Sequence, residues 1–461
     1  MLLKHAASLI RKGCKIAAVK AGSSDAGSRA ASSHTGALAS SDVAVNALFR
    51  KAGIVRCYGR EDLISVASVF MHPELKGKNI AVITHAGGPA VMLTDALSNG
   101  GLEVPHIDTP ESRELLTHLF PGSSVANPID FLATGNAEQL GIIIDYVEQK
   151  FDNIDAMVVI FGTPGLFPVF NVYDMLDLKM KQCKKPIYPV LPSILTAKEE
   201  VADFISKGRI NFPDEVSLGN ALARVYNTPG PAPEKIDLPA VDHNKIREII
   251  DNAGIGYLEP QQVQELLDAA GINRAGEAVA KSAGEAVKYA EELGLPVVMK
   301  VVGPVHKSDV GGVVLNVKTT DQVRSEFERM IQIKDTAAIL LQPMLSGMEL
   351  FAGAKYEEKF GHMILCGMGG IFIEVLKDVS AALSPISKED ALEMIRSLKS
   401  YKILEGVRGQ EGINIEMFAE NLARLSALLN AAPEIFEMDL NPLLGSKKQV
   451  VAVDARIRVE R

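Results

Sequence analysis

Apolar positions along the chain change their spacing several times, and each change marks an element. Leu2 to Arg11 carries apolar residues at helical spacing, and Lys15-Ile16-Ala17-Ala18-Val19-Lys20 reads as a short strand. Ser41-Asp42 precedes a periodic apolar stretch from Val43 to Ala52, a helix with a side-chain cap. One helix and one strand cannot make a core, so this start reads as the tail of a domain. From Lys78 a new unit begins. Ile80-Ala81-Val82-Ile83-Thr84 is a buried strand, His85-Ala86-Gly87-Gly88-Pro89 a turn, and Ala90 to Ser98 a helix. Apolar runs return at Asp155 to Ile160 and at Pro186 to Leu191, with helical stretches between them. This alternation predicts a parallel α/β sheet.

The run Asn227-Thr228-Pro229-Gly230-Pro231-Ala232-Pro233 neither helices nor pairs well, so it predicts a linker. Beyond it the helices lengthen, at Gln261 to Ala270, Ala283 to Leu293, Ala391 to Leu398 and Ile415 to Leu429. They interleave with strands such as Pro296 to Val302 and Val313 to Val317, an α+β pattern unlike the first half. The expected division is 1–75, 76–227, a linker over 228–244, and 245–461.

Composition adds mainly exclusions. A chain of 461 residues with 47% hydrophobic and 23% charged residues has the make-up of a globular protein of several domains. A net charge of -9, with no basic block, argues against a nucleic-acid partner. No run approaches the ~18–20 apolar residues of a membrane span. The first ten residues lack the pattern of a signal peptide, so the expected location is cytoplasmic. Cys14, Cys57, Cys183 and Cys366 are far apart and read as reduced thiols.

Two histidines stand among small hydrogen-bonding residues suited to a phosphate. His34 lies in Ala31-Ser32-Ser33-His34-Thr35-Gly36-Ala37, and His306 in His306-Lys307-Ser308-Asp309-Val310-Gly311-Gly312. A neutral imidazole can accept a phosphoryl group while backbone N–H groups hold its oxygens. Two such sites on one chain suggest a phosphoryl relay; a loop histidine bonded to a carbonyl is the plain alternative. Gly87-Gly88 sits where free helix N–H groups and the macrodipole favour an anion. The dinucleotide fingerprint is not met there, and no P-loop occurs anywhere. Lys300, at the end of an apolar strand, needs a charged partner, and a nucleotide phosphate suits it. Leu340-Leu341-Gln342-Pro343-Met344 reads as a hinge strand whose backbone could meet an adenine edge. Asp439 and Asn441, in Glu437 to Pro442, and Asp454, after Val451-Ala452-Val453, place oxygen ligands at strand ends. Oxygen-only ligands suit Mg²⁺ bridging phosphates.

With these residues the chain resembles the nucleoside-diphosphate-forming acyl-CoA synthetases, the superfamily of ADP-forming acetyl-CoA synthetase and succinyl-CoA synthetase. The resemblance is carried by Lys20-Ala21-Gly22, Ser33 to Ala39, Thr84 to Asp95 and Asn127-Pro128-Ile129-Asp130. In the second half it is carried by Val298 to Lys300, His306 to Gly312, Gly367 to Phe372, Glu374 to Asp378 and Leu440-Asn441-Pro442. It implies a partial succinyl-CoA-synthetase-like domain, a flavodoxin-like parallel α/β ligase domain, and a C-terminal α+β ATP-grasp domain. It further implies the reaction acyl-CoA + phosphate + ADP giving acid, CoA and ATP. His34 would take the phosphoryl group and His306 would carry it to the nucleotide, with Ser33, Thr35, Gly36, Gly87 and Gly88 binding phosphate. Lys300, Gln342, Met344, Gly311 and Gly312 would hold ATP or ADP, and Asn441, Asp454 and Asp439 would hold Mg²⁺.

Members that act alone begin with a CoA-binding domain, whereas this chain starts at the last helix and strand of the domain that follows. The resemblance therefore implies an N-terminally truncated member of a homo- or hetero-oligomer, in which either a separate CoA-binding chain supplies the absent parts or the chain is a truncated product without full activity. Two competing readings are an ATP-grasp carboxylate ligase, which gives His34 no task, and a nucleotide-binding regulatory or scaffold fragment. The acyl group and the choice between ADP and GDP are not written in these motifs.

Overall fold

The computed structural model describes residues 1–24, 26–30, 41–163, 168–303, 311–370 and 378–461. These form two compact units, Met1–Ala232 and Pro233–Arg461.

The first unit opens with α1 (Leu2–Arg11) and β1 (Ala17–Val19). It continues with α2 (Asp42–Ala52), β2 (Val55–Cys57) and α3 (Arg60–Phe70). Strand β1 is shorter than the apolar run 15–20 because it pairs only where β2 lies alongside, from Ala17↔Val55 to Val19↔Cys57. Helix α2 begins where the Ser41 side chain accepts from Ala44 N–H and ends at Gly53, whose φ of 78° is left-handed.

The main sheet of this unit holds β3 (Ile80–Thr84), β4 (Ile129–Asp130), β5 (Ala156–Ile160) and β6 (Ile187–Val190). All pairings are parallel, in the order β4-β3-β5-β6. Consecutive strand residues point to opposite faces, so a sheet covered on both sides needs strands apolar throughout. Ala81 and Ile83 pack with Ile144 and Leu176 from helices on one face. Ile80 and Val82 pack with Leu93, Leu97, Leu218 and Leu222 on the other. The small N-terminal part joins this second core through Val55, Cys57, Val66 and Val69.

Helix α4 runs Gly87–Asn99 and so begins three residues earlier than Ala90. First-turn N–H groups have no intrahelical acceptor, so Pro89 loses no bond at the third helical position. Both glycines therefore sit inside the first turn.

The second unit contains two sheets. The smaller has four antiparallel strands, β7 (Ala278–Ala280), β8 (Val297–Val302), β9 (Val313–Val317) and β10 (Ala338–Pro343), in the order β9-β8-β10-β7. Val297, Met299, Val301, Ile339 and Leu341 pack against Ala286, Ala290, Val323 and Phe327 of two helices. By alternation Val298, Lys300, Leu340 and Gln342 face the other way. The larger sheet is antiparallel throughout, with β11 (Met348–Glu357), β12 (Gly361–Met368), β13 (Val379–Leu383), β14 (Ile435–Gly445), β15 (Val450–Ala452) and β16 (Ala455–Val459). One face packs Leu350, Ile364, Met438 and Leu440 against helices that include Ile415–Ala431. Glu437, Asp439 and Asn441 alternate with that core.

Strand β14 runs straight through Asn441-Pro442, where the sequence suggested a strand end. Opposite it, Leu443 pairs with Leu350 and Leu440 with Ala352, so two residues face the single Phe351. This bulge takes in a proline that has no N–H to offer the ladder.

Candidate active site

The second unit holds a cavity of about 570 Å³ whose walls include Glu277, Leu340, Gln342, Val453, Asp454 and Arg456. Gln342 and Leu340 come from the helix-free face of the small sheet, and the segment 453–456 from the turn into β16 of the large one. Val298, opposite Gln342, and Lys300, opposite Leu340, share that small-sheet face.

Gln342 is 3% exposed. Its Nε2 donates to Glu277 Oε2 at 2.6 Å and to the Val453 carbonyl at 3.0 Å, while Oε1 is buried without a partner. Burial pushes the Glu277 carboxyl above its usual range and Asp454 adds to the rise; the Gln342 donor, Arg274 and Lys300 pull the other way. Lys300 is thus within electrostatic reach of Glu277. Asp454 Oδ1 accepts from Ala455 N–H at 3.1 Å, and its backbone carbonyl accepts from Asn441 N–H at 3.1 Å. Asn441 is exposed on its bulge.

Asp439 lies on the same strand, opposite Gly353 and Arg456. Burial raises its carboxyl above the ordinary range; Arg456 opposes this, and Asp454 and Glu437 reinforce it. Its Oδ1 is buried with no hydrogen-bond partner. An oxygen so placed, beside a second carboxylate and an exposed amide, fits a hard cation. Among the described residues no three His, Cys, Asp or Glu side chains converge as a metal group. Mg²⁺ takes one or two carboxylates and completes its shell with water and phosphate oxygens.

Other expected residues fall out differently. Met344 is 40% exposed, and its N–H already donates to the Pro296 carbonyl at 3.0 Å, so this amide is committed within the protein. The Gly312 carbonyl accepts from Val301 N–H at 2.8 Å, and Gly311 takes a left-handed φ of 67°. His306 lies outside the described residues, as do Ser33, His34, Thr35 and Gly36. Glu277, Arg274 and Arg456 were not singled out in the sequence. Glu277 has no motif, and only the pairing of β7 with β10 brings it beside Gln342.

In the first unit Gly87 and Gly88 are exposed at the start of α4, where Ala86 supplies no side-chain cap. Thr84 Oγ1 accepts from Ala86 N–H at 2.9 Å and fixes the turn. His85 stacks on Phe161 with ring centroids 4.4 Å apart, and burial pushes its pKa down. This end of the sheet is the switch point between β3 and β5, where open α/β sheets take ligands.

The ATP-grasp domain family matches residues 250–459, and the succinyl-CoA ligase like flavodoxin domain family matches residues 1–70. The beta subunit of acetate–CoA ligase [ADP-forming] I from Pyrococcus furiosus is 41% identical over 226 residues, which cover 46% of this chain and 97% of that one. Acetate–CoA ligase [ADP-forming] I from Archaeoglobus fulgidus is 35% identical over 457 residues, covering 96% of this chain and 66% of that protein. A solved chain of acetyl-coenzyme A synthetase 1 from Ca. Korarchaeum cryptofilum is 35% identical, with a TM-score of 0.44, covering 48% of this chain and 100% of that one. The second unit is thus an ATP-grasp domain. The chain belongs to the ADP-forming acetyl-CoA synthetase family, and it spans about two thirds of the length of the long relatives it matches. No described helix is long and apolar enough to cross a membrane.

Proposed function

We propose that the chain is an acid–CoA ligase of the ADP-forming type, interconverting acyl-CoA, phosphate and ADP with a carboxylic acid, CoA and ATP. The observation that carries this reading is that Lys300, on the small-sheet face it shares with Leu340 and Gln342, and Asp454, on the cavity wall, both act on the buried Glu277 carboxyl. Lys300 supplies a fixed positive charge for a nucleotide phosphate. Bound Mg²⁺ would neutralise phosphate charge and fix its orientation. Asn441, Asp454 and Asp439 are the residues that would hold it.

His306 and His34 are the proposed phosphoryl carriers, with the Gly87-Gly88 helix start binding phosphate at the acyl end. A phosphoramidate transfers readily in both directions, whereas a phosphoester would trap the group. A separate CoA-binding chain is the proposed partner; relatives built from separate alpha and beta subunits, each matching part of this chain, are consistent with a hetero-oligomer. A free-standing carboxylate ligase leaves His34 without a task, and a scaffold fragment leaves the metal-suited oxygens without one.

Labelling with γ-phosphate-tagged ATP and Mg²⁺ tests the relay. The expected label is acid-labile and alkali-stable, absent from His306→Ala, and retained on His306 in His34→Ala. No acid-labile label on the intact chain would overturn the reading.

A further inference from the structure

The side-chain amide of Gln342 ties together three segments far apart in sequence. One Nε2 hydrogen goes to Glu277, in the turn before β7, and the other to the carbonyl of Val453, next to Asp454. With both hydrogens given to acceptors, the amide cannot turn over without setting its oxygen against them. At 3% exposure, water cannot easily replace either bond. The Val453–Asp454 segment is then stitched to the bulge, since Val453 N–H donates to the Pro442 carbonyl at 3.0 Å and Asn441 N–H to the Asp454 carbonyl at 3.1 Å. At the other end, the Glu277 carboxylate lies within the field of Lys300.

We propose that Glu277 and Gln342 are a positioning pair that sets the metal-holding segment 441–454 against the phosphate-holding Lys300. This rests on the nucleotide reading above and deepens it. The pair acts through the Val453–Asp454 segment and the field at Lys300. Its task is to make metal and nucleotide bind as one unit. A Gln342 side chain that merely filled space would contribute equally with and without metal, whereas a positioning bridge contributes mainly when Mg²⁺ and phosphate must be held together.

Calorimetric titration of the full chain with ADP, with and without Mg²⁺, separates these cases. In Gln342→Ala the affinity gained by adding Mg²⁺ should fall about tenfold, the size of one lost hydrogen bond to a charged network. Metal-free ADP binding should fall by clearly less than this, because Gln342 and Glu277 also line the cavity and their loss weakens nucleotide contact with or without metal. Glu277→Gln keeps an acceptor oxygen and should retain most of the Mg²⁺ effect, while Glu277→Ala should behave as Gln342→Ala does. This second pair keeps the test open if Gln342→Ala misfolds, which thermal unfolding would reveal. Wild-type Mg²⁺ dependence in Gln342→Ala and Glu277→Ala would overturn the proposal, as would equal losses with and without metal in folded variants. Failure of the unmodified chain to bind ADP under either condition would instead remove the nucleotide reading itself, and this proposal with it.

Discussion

Asn127 stands in for a missing strand neighbour of Val82. Its Oδ1 accepts from Val82 N–H at 2.9 Å, and its Nδ2 donates to the carbonyls of Ile80 and Pro105, both at 3.0 Å. Strand β4 is only two residues long, so it reaches Ile83 and Thr84 but not Val82. The side chain completes the edge that the short strand leaves open. It does so from a left-handed backbone, φ 63°, which asparagine tolerates better than most residues.

Asn127→Ala should therefore destabilise the first unit by roughly 1–3 kcal/mol, the cost of a buried N–H left without an acceptor, with added strain from the left-handed φ. Asn127→Gly removes the strain but not the unmet bonds. Denaturant unfolding of both variants should show Gly recovering only part of the loss. Full recovery in Asn127→Gly would mean the side-chain bonds contribute little.

Gly303 gives a second test, on the wall of the second unit's cavity. Its φ is 131°, and a Cβ there would lie 2.0 Å from the Asp335 carbonyl oxygen, which is backbone and cannot swing away. Gly303→Ala should force the ends of β8 and β10 apart and destabilise the second unit by about 1–3 kcal/mol or more. ADP affinity should fall with it, since Lys300 lies three residues upstream. Wild-type stability in this variant would show that the 303–335 approach relaxes without cost.

These relationships differ in how far the sequence discloses them. Ile80–Thr84 and Ala156–Ile160 are legible because a strand covered on both faces must be apolar at every position. The lysine in Val298-Met299-Lys300 stands out for the same reason, as a charge where the pattern asks for an apolar residue. Glu277 does not stand out. It occupies a short stretch without clear period, and its partner Gln342 is 65 residues away. Its meaning depends on strand register, which no local pattern fixes. The same holds for Asn441-Pro442, which reads as a stop but lies in a strand, because a bulge opposite Phe351 absorbs the proline. Met344 sits at the hinge the sequence marks out, yet its amide is used by Pro296, a pairing set by the meeting of two strands.

His72 makes stability depend on pH. The residue is 7% exposed, its ring packs against Tyr188 and Phe212 at centroid distances of 4.9 and 5.7 Å, and burial pushes its pKa down to about 4 from 6.5. The unfolded chain then binds a proton below pH 6.5 that the fold refuses until about pH 4. Stability is unaffected by this group above 6.5, falls as the pH drops through that window, and levels off below it, with a total loss of order 3 kcal/mol. His85 and His362, also shifted down by burial, add in the same direction. In His72→Phe, which keeps an aromatic ring without a titrating nitrogen, the slope of unfolding free energy between pH 6.5 and 4 should flatten. An unchanged slope would place the acid sensitivity elsewhere.

Lys300 offers the most direct test of the proposed nucleotide cleft. It stands on the face of β8 turned away from the helices, opposite Leu340, with Glu277 as a neighbouring charge. On the proposed reading the side chain would supply one charge-assisted bond to phosphate, about 1.5–3 kcal/mol, so Lys300→Ala should weaken ADP binding by roughly ten- to hundredfold. Lys300→Arg keeps the charge but spreads it over a wider planar group, and should recover only part of the affinity. Adenosine has no phosphate to lose, so its weak binding should be the same in all three proteins. That contrast separates loss of a phosphate contact from collapse of the cavity. If adenosine binding falls in parallel with ADP binding, Lys300 shapes the cleft and does not hold the phosphate.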